Sequence, residues 1–282
     1  NIKLLKYYKY KINMPPKKKT VEEIFVKKTQ LEHIIDLPDT YIGSVENTEL
    51  DTWIYDEENQ KIINKNITYI PGLYKIFDEV LVNAIDQHVR VENDINIKQK
   101  VTEIKVNIDQ EKNCISISNN GIGIPIVEHK EHKIYIPELI FGQLLTSSNY
   151  DKDEKKVTGG KNGYGAKLAN IFSTKFKITT IDHEKKLKYE QVFENNMTKK
   201  NKPITKCNDK PYTNIEFYPD LNRFNIDKIN DDTINLMKKR VIDCTACTNK
   251  NVSVYLNDKK IECKTLEKYV SYYLNDDNEK VY

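Results

Sequence analysis

Apolar residues recur at helical spacing through residues 72–91, at Leu73, Ile76, Phe77, Val80, Leu81, Ala84 and Ile85. That period predicts an amphipathic helix with one buried stripe. Glu79, Asn83 and Asp86 stand at i, i+4 and i+7 on its other side, so the three project from one face. The period then changes from 3.6 to 2. Residues 102–109 and 114–118 alternate as two strands around a polar turn at 110–113, and Asn119-Asn120-Gly121-Ile122-Gly123 follows directly. A further apolar series, Ala166, Leu168, Ala169, Ile171 and Phe172, predicts a helix over 163–173 that opens out of a glycine-rich loop. Residues 213–218 read as another strand.

Glycine gives this pattern a chemical meaning. Only nine glycines occur, and seven of them lie from Gly121 to Gly165. Glycine tolerates positive φ and lets backbone approach a ligand closely, which a loop needs if its N–H groups are to surround phosphates. The run Thr158-Gly159-Gly160-Lys161-Asn162-Gly163-Tyr164-Gly165-Ala166-Lys167-Leu168 feeds such N–H groups into a helix N-terminus, where anions are stabilised. Neither a G-x-x-x-x-G-K-[ST] loop nor a dinucleotide G-x-G-x-x-G with its later acidic residue is present, so a different nucleotide fold is required. A carboxylate and an amide one helical turn apart, as at Glu79 and Asn83, can handle a water and a Mg²⁺. Taken singly, each motif also has a plain reading. The triad fits a solvated helix face, and Asn119 with its glycines fits an ordinary strand exit.

Composition narrows the class. A hydrophobic fraction of 38% supports a core, and 31% charged residues imply a heavily solvated surface. With 45 basic against 42 acidic residues the net charge is only +3, so any nucleic-acid contact is local. No run approaches the about 18 apolar residues of a spanning helix, and no secretory leader is evident, so no membrane partner and an intracellular location are expected. Cys114, Cys207, Cys244, Cys247 and Cys263 do not form a disulfide framework. Cys244-x-x-Cys247 lacks a second ligand pair, and His129 and His132 lie in a charged, solvated segment. Lys17 to Lys19 fit a nuclear address, a phosphate-contacting arm or a solvated tail.

The order Glu79-x-x-x-Asn83, Asn119-x-Gly121-x-Gly123, Gly160-x-x-Gly163-x-Gly165 resembles the GHKL ATPases. The blocks Lys28-Thr-Gln-Leu-Glu-His, Pro38-Asp-Thr-Tyr-Ile-Gly-Ser, Leu139-Ile-Phe-Gly-Gln-Leu-Leu-Thr-Ser-Ser-Asn-Tyr and Gly159-Gly-Lys-Asn-Gly-Tyr-Gly-Ala-Lys-Leu are similar to the eukaryotic and viral type IIA DNA topoisomerases, over roughly residues 20–282. The resemblance implies an α/β fold, the GHKL or Bergerat two-layer sandwich, with a mixed, mostly antiparallel sheet and helices on one face. Residues 1–19, basic and rich in tyrosine, read as a mobile arm, and the resemblance implies an ATPase domain at 20–264 and the start of a transducer domain at 265–282.

It also implies ATP and Mg²⁺ as ligands. Glu79 would be the general base and Asn83 the Mg²⁺ ligand. Asp86 would lie in the nucleotide site, Asn119 and Thr213 at the adenine, and Ser147, Ser148 and Asn149 at ribose and phosphate. Gly160, Lys161, Asn162, Gly163, Tyr164, Gly165, Ala166 and Lys167 would wrap the triphosphate. Implied partners are duplex DNA and a second copy that dimerises on ATP binding, in a nucleus or a viral factory. Without the transducer lysine and the cleavage region, weak hydrolysis and no DNA cleavage are expected of this chain alone. Asn119 stands where gyrase-like relatives carry aspartate, Gln87 where asparagine is common and Phe25 where tyrosine is common. Another GHKL ATPase, or a nucleotide-sensing module that no longer hydrolyses, remains an alternative.

Overall fold

The structure, a computed structural model, describes residues 20, 27–144, 165–201 and 204–274. The chain opens with α1 (Gln30–Asp36), started by a capping box in which Thr29 and Glu32 satisfy each other's backbone N–H groups. The short α2 (Asp39–Ile42) follows, then a separate hairpin of β1 (Thr48–Asp56) and β2 (Lys61–Tyr69). Ile70 and Pro71 lead β2 straight into α3 (Pro71–Asn93), where proline at the first turn loses no hydrogen bond. Then come β3 (Glu103–Asp109), β4 (Cys114–Asn120), α4 (Ile136–Gly142), α5 (Gly165–Ile171), β5 (Ser173–Asp182), β6 (Leu187–Glu194), β7 (Lys199–Lys200), β8 (Ile204–Lys206) and β9 (Tyr212–Pro219). A 3₁₀ turn (Leu221–Phe224) precedes α6 (Asp231–Cys247), β10 (Ser253–Leu256), β11 (Lys259–Lys260) and α7 (Leu266–Ser271).

The main sheet runs β11-β10-β3-β4-β9-β5-β6-β7, with β8 on β6. Its pairs are antiparallel except β10 with β3. Strict alternation of buried and half-buried positions along β3 and β4 means that one face is covered and the other is wet. On the covered face, residues align in rows across β4, β9 and β5. Ile115, Phe217 and Phe176 form one row, and Ile117, Ile215 and Ile178 the next. These side chains are buried, as are Leu73, Ile76, Phe77, Val80 and Leu81 of α3. The expected stripe on residues 72–91 is therefore the stripe that seats α3.

α3 is tied to α6 by Arg240 Nε and Asp78 Oδ1 at 2.7 Å. The expected helix at 163–173 is shorter, because Ser173 already belongs to β5 and its hydroxyl closes the turn on the Ala169 carbonyl. All five thiols are free, with Cys244 buried and Cys247 exposed at the end of α6. No helix among the described residues is long and apolar enough to cross a membrane.

Candidate active site

Two distant motifs meet between α3 and α5. Glu79 is half-buried, and its Oε1 pairs with Lys75 Nζ, one turn earlier, at 2.5 Å. A methyl group placed on Gly165 would lie 2.2 Å from Glu79 Oε2 and 3.8 Å from Asn83 Nδ2. The first residue of α5 thus rests against the carboxylate, and a side chain there would make Glu79 swing aside. Asn83 donates from Nδ2 to the Glu79 carbonyl at 2.6 Å. One N–H of the amide is used on the helix, and its hard carbonyl oxygen remains for a ligand. Asp86 is half-buried one turn further on. Sequence reasoning passed over Arg90, which lies one turn beyond Asp86 with its guanidinium held by Gln87. Its signal was the same i+4 spacing continued.

The second half of the site ends the sheet's covered face. After the two apolar rows comes a polar one, Asn119, Thr213 and Thr180, side by side on β4, β9 and β5. Asn119 and Thr180 are buried. Asn119 Nδ2 donates to the Asn120 carbonyl at 3.0 Å. One of its two N–H groups is used there, which leaves the Asn119 oxygen and the second N–H for a partner. Asn120 has a structural task, accepting from the Thr102 and Glu103 N–H groups and donating to the Thr102 hydroxyl.

The strip after β4 is stitched along β5. His183 N donates to the Ile122 carbonyl at 3.0 Å, Ile124 N to Thr180 Oγ1 at 3.0 Å, and Ile126 N to Asp182 Oδ2 at 2.8 Å. Gly121 and Gly123 both have positive φ. At Gly123, with φ +72°, a methyl group would sit 1.9 Å from the Ile181 carbonyl oxygen.

On α5, Ala166 and Lys167 are both buried, Lys167 to 4% exposure. Burial holds the Lys167 ammonium down to a pKa of about 8. Ser147, Ser148, Asn149, Gly160, Lys161, Asn162, Gly163 and Tyr164 lie outside the described residues. The structure therefore brings Glu79, Asn83 and Gly165 together at one end. It places Asn119 beside Thr213 at the sheet end.

The donors fit a Mg²⁺–nucleotide better than a metal held by protein alone. Among the described residues no cluster of three or more His, Cys, Asp or Glu side chains forms a metal cage. Mg²⁺ takes hard oxygen ligands and is ordinarily bound through one or two protein groups plus substrate phosphates and water. The Asn83 carbonyl oxygen suits that use.

The profile of the histidine kinase-, DNA gyrase B- and HSP90-like ATPases matches residues 68–221, which span α3, the glycine loops and β4 to β9. The chain belongs to that family of ATPases. It is 51% identical to DNA topoisomerase 2 of Arabidopsis thaliana over 262 residues, covering 92% of this chain and 17% of that protein. Human DNA topoisomerase 2-alpha is also 51% identical, over 270 residues, which cover 95% of this chain and 17% of that protein. The crystal structure of the ATPase region of Saccharomyces cerevisiae topoisomerase II superimposes with a TM-score of 0.85 at 49% identity, covering 90% of this chain and 66% of that one. Within the family, the chain is thus similar to the ATPase regions of type II DNA topoisomerases. It spans 17% of the length of these curated relatives.

Proposed function

We propose that the chain is the ATP-operated gate of a type II DNA topoisomerase, binding ATP with Mg²⁺ and hydrolysing it. The observation that carries this reading is the contact between Glu79 and Gly165, where the helix bearing a carboxylate meets the end of the phosphate-type loop. Phosphoryl transfer asks a protein mainly for positioning and charge stabilisation. Lys75 occupies Oε1 of Glu79, so Oε2, facing Gly165, is the oxygen that takes the proton of the attacking water. Asn83 and Asp86 hold the polar end of the nucleotide, Asn119 and Thr213 the base, and Lys167 adds positive charge beneath the loop. Residues 147–149 and 160–164 are assigned to the ribose and the phosphates by the family resemblance. Asn83, through its carbonyl oxygen, would hold a Mg²⁺, which would supply neutralising charge to the phosphates.

ATP binding closes two copies of the chain into a dimer, and the whole enzyme uses that closure to pass one DNA duplex through another. Similarity to enzymes named DNA topoisomerase 2 over more than nine-tenths of the chain supports this partnership. In this reading residues 20–264 are the ATPase domain, 1–19 an N-terminal arm and 265–282 the beginning of the next domain.

Asn83→Ala should abolish Mg²⁺-dependent binding of a non-hydrolysable ATP analogue, by at least about tenfold for one lost ligand contact. Titration calorimetry with and without Mg²⁺ checks it, and equal affinity of the variant would remove Asn83 from the site.

Lys167 gives a second expectation. Its lowered pKa leaves it about half neutral near pH 8, and a polyphosphate favours the charged form. Nucleotide binding should therefore take up about half a proton at pH 8 and about 0.1 at pH 7. Calorimetry in buffers of different ionisation enthalpy measures this uptake. In Lys167→Met the increment between the two pH values should vanish.

A further inference from the structure

Asn170 has no part in the reading above, yet it is buried to 0% exposure near the end of α5, where a polar side chain is costly. Its Nδ2 donates to the Phe141 carbonyl at 2.9 Å. Phe141 lies in the last turn of α4, whose final carbonyls have no partner within the helix. A side chain of one helix thus caps the end of another. The Asn170 Oδ1 is buried too, and it has no hydrogen-bond partner among the described residues. An apolar side chain would fill the same space without that penalty. The two joined helices have different footings. α4 is fixed to the sheet, since Phe141 packs on Phe176 of β5 with ring centroids 6.0 Å apart. Its buried Glu138 accepts from Gln191 Nε2 on β6 at 3.2 Å and pairs with Lys200 Nζ on β7 at 2.7 Å. α5 instead stands against α3, with Gly165 on the Glu79 carboxylate. The bond from Asn170 to Phe141 therefore refers the place of Gly165 to the sheet.

We propose that Asn170 is a positioning residue for hydrolysis, a role that rests on the hydrolytic reading above. Through Phe141 it holds α5 at the distance from α3 at which Glu79 Oε2 meets the attacking water. Nucleotide affinity draws on contacts spread from Asn83 to Thr213, so a small shift of one helix changes it little. Transfer of a proton to a base is less tolerant, and a misplacement of about 1 Å can cost about 10²-fold. Loss of the Asn170 bond therefore shows in the rate rather than in binding. The unpaired oxygen is stability given up to keep the amide that sets this distance.

The test compares wild type, Asn170→Leu and Asn170→Asp, each as the 282-residue chain. Leucine is close to asparagine in shape, and it removes both the bond and the unpaired oxygen. Its melting temperature should stay within about 3 °C of wild type. Its single-turnover ATP hydrolysis should fall by about 10- to 100-fold, with the affinity for a non-hydrolysable analogue within about threefold. Aspartate keeps the shape of asparagine, and its carboxyl donates to the Phe141 carbonyl only when protonated, the form that burial favours. The rate of Asn170→Asp relative to wild type should therefore rise at least about threefold from about pH 8.5 to about pH 6.5, while that of Asn170→Leu stays flat. Charges on Glu138 of α4, Lys167 of α5 and Lys200 of β7 are common to the three proteins and cancel in the ratio. A purely structural role would move the melting temperature and not this ratio. Hydrolysis by Asn170→Leu within about threefold of wild type, a fall in its melting temperature in step with the rate, or a flat Asn170→Asp ratio overturns the proposal and leaves the nucleotide site intact. Wild type that binds no analogue, or that binds it without hydrolysing ATP, overturns the hydrolytic reading and this role with it.

Discussion

Glu79→Gln should lower single-turnover ATP hydrolysis by about 10²–10⁴-fold, the usual contribution of a positioned general base, while leaving the affinity for a non-hydrolysable analogue within about threefold. The amide keeps the shape of the carboxylate and its place against Gly165, but it cannot take a proton from water. The ion pair with Lys75 is also lost. That loss is a small matter energetically, because an i,i+4 pair at a partly exposed site is worth about 0.3–0.5 kcal/mol. Rapid-quench measurement of the product formed per bound nucleotide, beside a calorimetric titration, separates the two quantities. Hydrolysis at the wild-type rate would remove Glu79 from the chemistry and would leave the Glu79–Gly165 contact as packing only.

Gly123→Ala should be the most damaging small substitution in the described structure. Its φ of +72° lies where a side chain costs about 1–2 kcal/mol. The new methyl group would also stand 1.9 Å from the Ile181 carbonyl oxygen, a backbone atom that cannot swing aside. Relief requires the strip after β4 to peel from β5, breaking the hydrogen bonds of Ile122, Ile124 and Ile126 to that strand's end. We expect a loss of about 3 kcal/mol or more, from the φ cost together with the broken contacts. For a domain of this size that is a fall in Tm of roughly 6–12 °C. Nucleotide binding should fall with it, since the same strip follows directly on Asn119. An unchanged melting temperature would show that the turn has another comfortable conformation.

The parts of this molecule that could be read from sequence are those where one physical constraint dominates. The apolar stripe of α3 had to be buried, and so its opposite face with Glu79 and Asn83 was fixed as well. The alternation of residues 102–109 and 114–118 gave β3 and β4, although β4 runs on through Asn119 and Asn120. The clustering of glycine between Gly121 and Gly165 was informative because most other turns among the described residues do without glycine, Gly43 at φ +83° being an exception. Asn113, Asn195, Asn196, Asn225 and Asn257 all take positive φ in turns, a conformation asparagine tolerates.

What escaped was long-range. Thr180 follows Phe176 and Ile178 in a regular alternation and looks like any strand threonine. Its hydrogen bonds join it to Thr213, Tyr212 and Ile124, which only the fold brings beside it. The β1–β2 hairpin was also hidden, since its turn lacks glycine and proline and uses Gln60 at φ +52° instead. The contact between Glu79 and Gly165 joins two motifs that sequence reasoning had assigned to one site by resemblance, with no spacing rule to bring them together.

That hairpin has a mechanical consequence. Lys61 Nζ donates to the carbonyls of Ser271 and Leu274, and Ile62 N donates to the Tyr272 carbonyl. Tyr272 and Tyr273 meet Tyr55 and Trp53 edge to face. The end of α7 is thereby clamped to β2 at its first residues, and β2 runs with no intervening loop into the helix that carries Glu79. Any force on α7 must either break the clamp or be delivered along one rigid strand to the floor of the site. Trp53 is the single tryptophan of the chain, so the state of that clamp is written in the protein's own fluorescence.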